Sequence, residues 1–139
     1  MLLTGAVYAR EGCDTVGVTI LHLAHRADWE AAVATGEYRT STRGATIDQV
    51  GFIHASYPAQ LARVAAAVHA RDDQELCVLV LDEGRIRGDG VRVVDEDGGD
   101  GELYPHIYGA IRPGWVTEVR PAGFDERGEF RFPADGQLP

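Results

Sequence analysis

Six consecutive uncharged apolar residues, Leu76 to Leu81, follow the polar stretch Arg71 to Gln74 and run into Asp82. A continuous apolar run of this length between polar turns predicts a central strand covered on both faces. It is far too short to cross a bilayer, which takes about 20 residues as a helix. VTILHLA, from Val18 to Ala24, is a second segment of this kind, β-branched and apolar on both faces, with His22 in its middle. The chain must therefore supply cover for both faces of a sheet.

Two helices are predicted. In RADWEAAVATG, Asp28 and Glu30 fall in a first turn, Trp29 and Val33 are spaced i, i+4, and Gly36 lies just past the last helical residue. Pro58 opens a second helix whose Leu61, Val64, Ala65 and Val68 share one stripe and which ends near Ala70. Tyr38 to Val50 has no clear period and reads as a loop, with at most a short strand or turn, able to close over a site. GFIHAS, VRVVDED, WVTEVRP and EFRFP read as further short strands, with AGFDERG as a turn. In ELYPHIYG, Pro105 predicts an edge or irregular strand. Two early helices followed by mostly strands predict an α+β fold with a mainly antiparallel sheet. The 139 residues allow one domain. Residues 18–139 are assigned to it and residues 1–17 to an N-terminal extension.

Thirteen Lys plus Arg against twenty-two Asp plus Glu give a formal charge of -9. Such a field repels nucleic acid and anionic membrane, so a small-molecule partner is expected. Cys13 and Cys77 have neither a disulfide nor a metal spacing. The first eighteen residues carry no basic segment ahead of an apolar one. Together these predict a cytoplasmic protein.

There is no phosphate-cradling glycine loop, no serine nucleophile elbow and no His-Glu zinc helix. Histidines inside apolar extended segments remain, and each needs a hydrogen-bond partner or a ligand to offset its desolvation. His22 reads equally as a core histidine bonded to backbone and as a site residue. His54 alternates onto one face with Phe52 and Ser56, so its imidazole and the Ser56 hydroxyl can reach one ligand. Ser56 also stands where an N-cap of the following helix is expected. If ELYPHIYG is extended, Glu102, Tyr104, His106 and Tyr108 share a face, with Leu103 and Ile107 packed inward. The acidic run from Asp95 to Glu102 lacks calcium-loop spacing and reads as a solvated turn. His25, at a helix start, and His69, near a helix end, are assigned no role.

LHLAHRADWEAA, GFIHAS and GELYPHIYG, in that order, resemble the three signature segments of a bacterial family known as domain of unknown function 952, over about Val18 to Pro121. That family is similar in fold to the ADP-ribosyltransferase and RNA 2'-phosphotransferase superfamily, whose split antiparallel sheets bind NAD in a central cleft. The resemblance implies an ADP-ribosyltransferase-like fold and NAD as a donor substrate. It implies His22, Ser56 and Tyr108 as nucleotide-binding residues and His54, Glu102 and His106 as catalytic ones. A carboxylate beside the ribose, assigned to Glu102, would stabilise the positive charge that develops as the nicotinamide bond breaks. Arg26, Arg39 and Arg43 are the phosphate-binding candidates that a phosphotransferase would need.

Two other readings use the same residues. His22, His54, His106 and Glu102 come from separate segments and can be combined as metal ligands of a hydrolase or lyase. The same pocket can also hold a nucleotide or sugar without turnover.

Overall fold

In the computed structural model, which describes residues 18–42 and 44–133, the two continuously apolar segments pair with each other. β1 (Thr19–His25) and β5 (Leu76–Asp82) are antiparallel neighbours with His22 opposite Leu79. β8 (Val116–Phe124) and β9 (Phe130–Arg131) complete a sheet of order β1-β5-β8-β9. A second sheet has the order β4-β7-β6, from β4 (Ile53–His54), β7 (Leu103–Ile107) and β6 (Val93–Asp97). β2 (Thr40–Thr42) and β3 (Ala45–Thr46) form a separate hairpin. Among the described residues every strand pairing is antiparallel. The protein is a small α+β domain; the expected extension, residues 1–17, and Cys13 lie outside the described residues.

Both faces of the first sheet are covered, which is why its central strands carry no polar alternation. On one face Leu21, Leu23, Val78 and Val80 pack with Leu61 and Ala65 of the helix α3 (Leu61–His69). On the other, Ile20, Ala24, Leu79 and Leu81 meet Ile53 and Ile107 of the second sheet, together with Trp29, Tyr38 and Trp115. Trp29 is supplied by α1 (Arg26–Thr35), which ends at Gly36 in a left-handed conformation, φ 92°. Val33 does not join Trp29 inside. It is 56% exposed, because only Trp29 and Ala32 of this helix are buried.

The stretch read as a loop, Tyr38 to Val50, contains the β2–β3 hairpin and the short helix α2 (Ile47–Val50). No apolar period marks these elements because none of the residues of α2 is buried. A fourth helix, α4 (Glu83–Gly88), is started by Asp82, whose Oδ1 accepts the Gly84 N–H. The helix read from Pro58 begins as a 3-10 turn, Pro58–Gln60, and continues as α3. The acidic run is not a turn throughout: Asp95, Glu96 and Asp97 belong to β6.

Pro105 corrects another expectation. β7 is the middle strand of its sheet, not an edge. The Ala55 N–H donates to the Pro105 carbonyl at 3.0 Å, and the reciprocal bond cannot form because proline has no N–H. Carbonyl and missing donor both face the β4 side, so pairing with β6 runs on through Asp95 opposite Pro105. On the β4 side the ladder stops, and the next residue, Ser56, turns to the other sheet. It exchanges two backbone bonds with Leu21, at 2.7 and 2.8 Å. Residues 53–56 thus join the two sheets. Leu103, expected inside, is 40% exposed at the start of β7, whereas Ile107 is fully buried.

Candidate functional site

His22 occupies the seam between the sheets. Its Nδ1 lies 2.7 Å from the His54 carbonyl and its Nε2 3.1 Å from the Tyr38 hydroxyl. A carbonyl only accepts, so Nδ1 carries the hydrogen and Nε2 accepts from Tyr38. Burial holds this imidazole down at about 4, with the neighbouring His54 acting in the same direction and the His54 carbonyl against it. Burial likewise raises the Tyr38 phenol well above its ordinary range. His22 is thus a neutral, fully engaged ring, 2% exposed.

His54 is different because its backbone and ring serve separate partners. The N–H donates to Ser41 Oγ at 3.1 Å, fixing the β2–β3 hairpin against β4. The ring stands beside that of His106, its cross-strand partner in β7, with His54 Nδ1 3.2 Å from His106 Nε2. Phe52 stacks on His106, ring centres 3.9 Å apart and planes within 10°. His106 Nδ1 lies 2.8 Å from Glu96 Oε1, which also accepts the Tyr108 hydroxyl at 2.6 Å. Burial opposes ionisation of Glu96, but these two donors outweigh it and hold the carboxyl below its usual range.

The order of hydrogens follows. An ionised Glu96 only accepts, so a neutral His106 donates through Nδ1 and offers a lone pair at Nε2. His54 donates to that lone pair through Nδ1. Its own Nε2 is left with a lone pair. Burial first, and the adjacent His106 second, hold the His54 imidazole at about 4. The half-buried His54 lines an open cleft of about 210 Å³ with Thr42, Arg63, Val64, Asp100 and Tyr104. A smaller recess continues past it to His22, Ser41 and Ser56.

Five of the six residues singled out from sequence fall into two groups, and the sixth stands apart from both. His54, His106 and Tyr108 belong to one hydrogen-bonded line. His22 and Ser56 lie behind it, buried, with Ser56 bridged to β1 by its backbone. Glu102 stands apart, paired with Arg63 of the cleft wall. Arg63 Nη2 approaches its Oε1 at 2.5 Å, and Gln60 Nε2 donates to the same oxygen at 3.0 Å. The carboxylate beside His106 is Glu96, and the one lining the cleft is Asp100, which accepts the Tyr104 hydroxyl at 2.6 Å. Alternation along VRVVDED carries the signal for Glu96: it shares a face with Val94, which pairs with His106. Arg63 had no signal beyond its place on the helix.

The combined ligand set His22, His54, His106 and Glu102 does not converge. The ring nitrogens of His22 are spent on His54 and Tyr38, and His54 and His106 face each other. The phosphate candidates are engaged as well, Arg26 with Glu75 and Arg39 with Asp48, while Arg43 lies outside the described residues. No helix among the described residues is long and apolar enough to cross a membrane.

The sequence pattern of a family described as protein of unknown function (DUF952) matches residues 23–119. A crystal structure of a double mutant of protein CC0527 from Caulobacter crescentus is similar with a TM-score of 0.68 and 25% identity, covering 81% of this chain and 93% of that one. The solution structure of CC0527 gives 0.61 and 27%, covering 81% and 90%. No curated protein matches the chain at a significant level.

Proposed function

We propose that this chain, which belongs to the DUF952 family, binds NAD or a related nucleotide in the cleft beside His54 and transfers or hydrolyses its ADP-ribosyl group. The observation that carries the reading is the line Glu96, His106, His54, which ends in a lone pair on a residue of the cleft wall. An imidazole oriented by a second group, itself anchored by a carboxylate, is the arrangement of a general base. In this reading His54 Nε2 takes the proton of a water or an acceptor hydroxyl as its oxygen bonds the ribose C1'. The nicotinamide leaves with the electron pair of the broken bond. A base held near 4 is weak in the ground state, and the proton it gains is stabilised through His106 toward Glu96.

Asp100 takes the part of the carboxylate facing the sugar, and Glu102 acts one step back, holding Arg63 beside the cleft for a phosphate. Ligand pockets usually span about 300–1,000 Å³, so a cleft of about 210 Å³ suits a base-ribose unit with the rest of the nucleotide along its open mouth. The likeness in fold to NAD-using enzymes that the three signature segments imply for this family supplies the identity of the donor; kinship alone does not fix it.

Nicotinamide release and NAD binding measured on wild type, His54→Ala, His106→Gln and Glu96→Gln test the proposal. A general base contributes about 100- to 10,000-fold, so His54→Ala should lose at least about 100-fold in kcat with KM little changed. A wild type that neither binds nor cleaves NAD, or a His54→Ala variant at full rate, refutes it. Binding without product, unaltered in His54→Ala, points instead to a non-catalytic binding module.

A further inference from the structure

A second cluster lies away from the line of His54. His25 ends β1, His69 ends α3, and Asp72 follows three residues later in the turn. His25 Nε2 lies 2.5 Å and His69 Nδ1 2.7 Å from the same oxygen, Asp72 Oδ2. The side chains are nearly enclosed, 10%, 5% and 1% exposed respectively. Their donor atoms all lie within 4.8 Å of one another.

We propose that His25, His69 and Asp72 form a binding site for one divalent first-row transition metal ion, of which zinc is the type. Two imidazoles and a carboxylate are a donor set for zinc, iron or nickel, whereas calcium and magnesium require cages built of oxygen. The metal-free arrangement explains its own hydrogens. Burial opposes ionisation of Asp72, but the His25 ring, the Gln74 amide and the His69 ring hold the carboxyl far below its usual range. The carboxylate accepts, so both facing nitrogens carry hydrogen. A change of tautomer moves each hydrogen to the far ring nitrogen and turns two lone pairs inward without net proton transfer. Tetrahedral bonds of about 2.0–2.1 Å place neighbouring ligand atoms about 3.3 Å apart, so each imidazole retreats by less than about 1 Å to admit the ion.

Two surrounding features suit this exchange. Asp28 Oδ2 lies 3.6 Å from His25 Nδ1, placed to accept the hydrogen that the new tautomer carries there. An open cavity of about 420 Å³, lined by His25, Asp28, Thr40, Thr46 and Gln74, adjoins the cluster and leaves room for water or a small anion as a further ligand.

Stripped of metal with a chelator, the full chain should take up one equivalent of Zn2+ by calorimetry and of Co2+ by visible absorption, with a rise in Tm. His69→Gln and Asp72→Asn should each weaken binding by at least about 100-fold, and His54→Ala should leave it unchanged. Asp28→Asn, at a half-exposed position that does not threaten the fold, should weaken it by about tenfold. The proposal is overturned if the wild type takes up no stoichiometric metal. It is equally overturned if uptake persists at full affinity in folded His69→Gln, or is abolished by His54→Ala while Asp28→Asn has no effect.

Discussion

Replacing His22 by asparagine and following stability from pH 7 down to pH 4.5 probes the seam directly. The folded imidazole sits at about 4, against 6.5 for the free side chain. Between those values the unfolded chain binds a proton that the folded chain refuses. Falling pH therefore favours unfolding: the contribution is complete above 6.5 and is lost as the pH drops toward 4. Linkage gives a slope approaching about 1.4 kcal/mol per pH unit and a loss of about 2.5 kcal/mol at pH 4.5 from His22 alone. His54, lowered to the same value, adds in the same direction but by less, because it is only half-buried. Asp72 and Glu96 are lowered carboxyls, and theirs is a loss that falls mainly below this window.

At pH 7, His22→Asn loses the Tyr38 hydroxyl as a partner and should cost about 1–3 kcal/mol. Because asparagine does not titrate, that deficit should shrink by about 2.5 kcal/mol by pH 4.5. Urea unfolding at five pH values and constant ionic strength measures both curves. Parallel curves, with the same deficit at every pH, would falsify the assignment of His22 as a buried neutral ring.

Glu96→Ala leaves His106 Nδ1 and the Tyr108 hydroxyl without their acceptor and should cost about 1–3 kcal/mol in urea unfolding. A cost below about 0.5 kcal/mol, the ordinary surface value, would remove Glu96 as the anchor of the line. Gly98→Ala puts a Cβ 2.5 Å from two atoms of the Tyr104 ring. Overpacking should cost about 1–3 kcal/mol, and an unmoved Tyr104 aromatic NMR signal would contradict it. Burial pushes the Cys77 thiol up to about 11, so in a Cys13→Ser background Ellman's reagent should react only as fast as the protein opens. Prompt labelling in native buffer would count against the packing around β5.

Sequence reading succeeded where a physical constraint is local and strong. β1 and β5 announce themselves because burial on both faces leaves no place for a charge. The face shared by Phe52 and His54, and the one shared by His106 and Tyr108, follow from a period of two and survive in the structure as stacked and hydrogen-bonded rings. What failed was whatever depends on pairing between distant segments. Pro105 reads as an edge or irregular strand because a proline costs a ladder bond, yet β7 is central and the bond is lost on the side where β4 ends after two residues. His25 and His69 looked ordinary one at a time, since nothing local to β1 points at a turn 47 residues away. Glu102 and Glu96 could not be ranked from sequence, because the register of β6 against β7 decides which carboxylate meets His106.

That register bears on how the site can vary. Residue 54 serves two histidines by different atoms: its carbonyl holds His22 in the seam, and its ring meets His106 at the cleft. The carbonyl bond depends only on the backbone, so His54→Ala should remove the ring and leave His22 seated. Substitution at His22 acts in reverse, loosening the carbonyl and with it the place where residues 53–56 pass from one sheet to the other. The pair is therefore asymmetric. A loss of function at His54 speaks to chemistry in the cleft, whereas a loss at His22 speaks first to the junction of the sheets and reaches the cleft only through it.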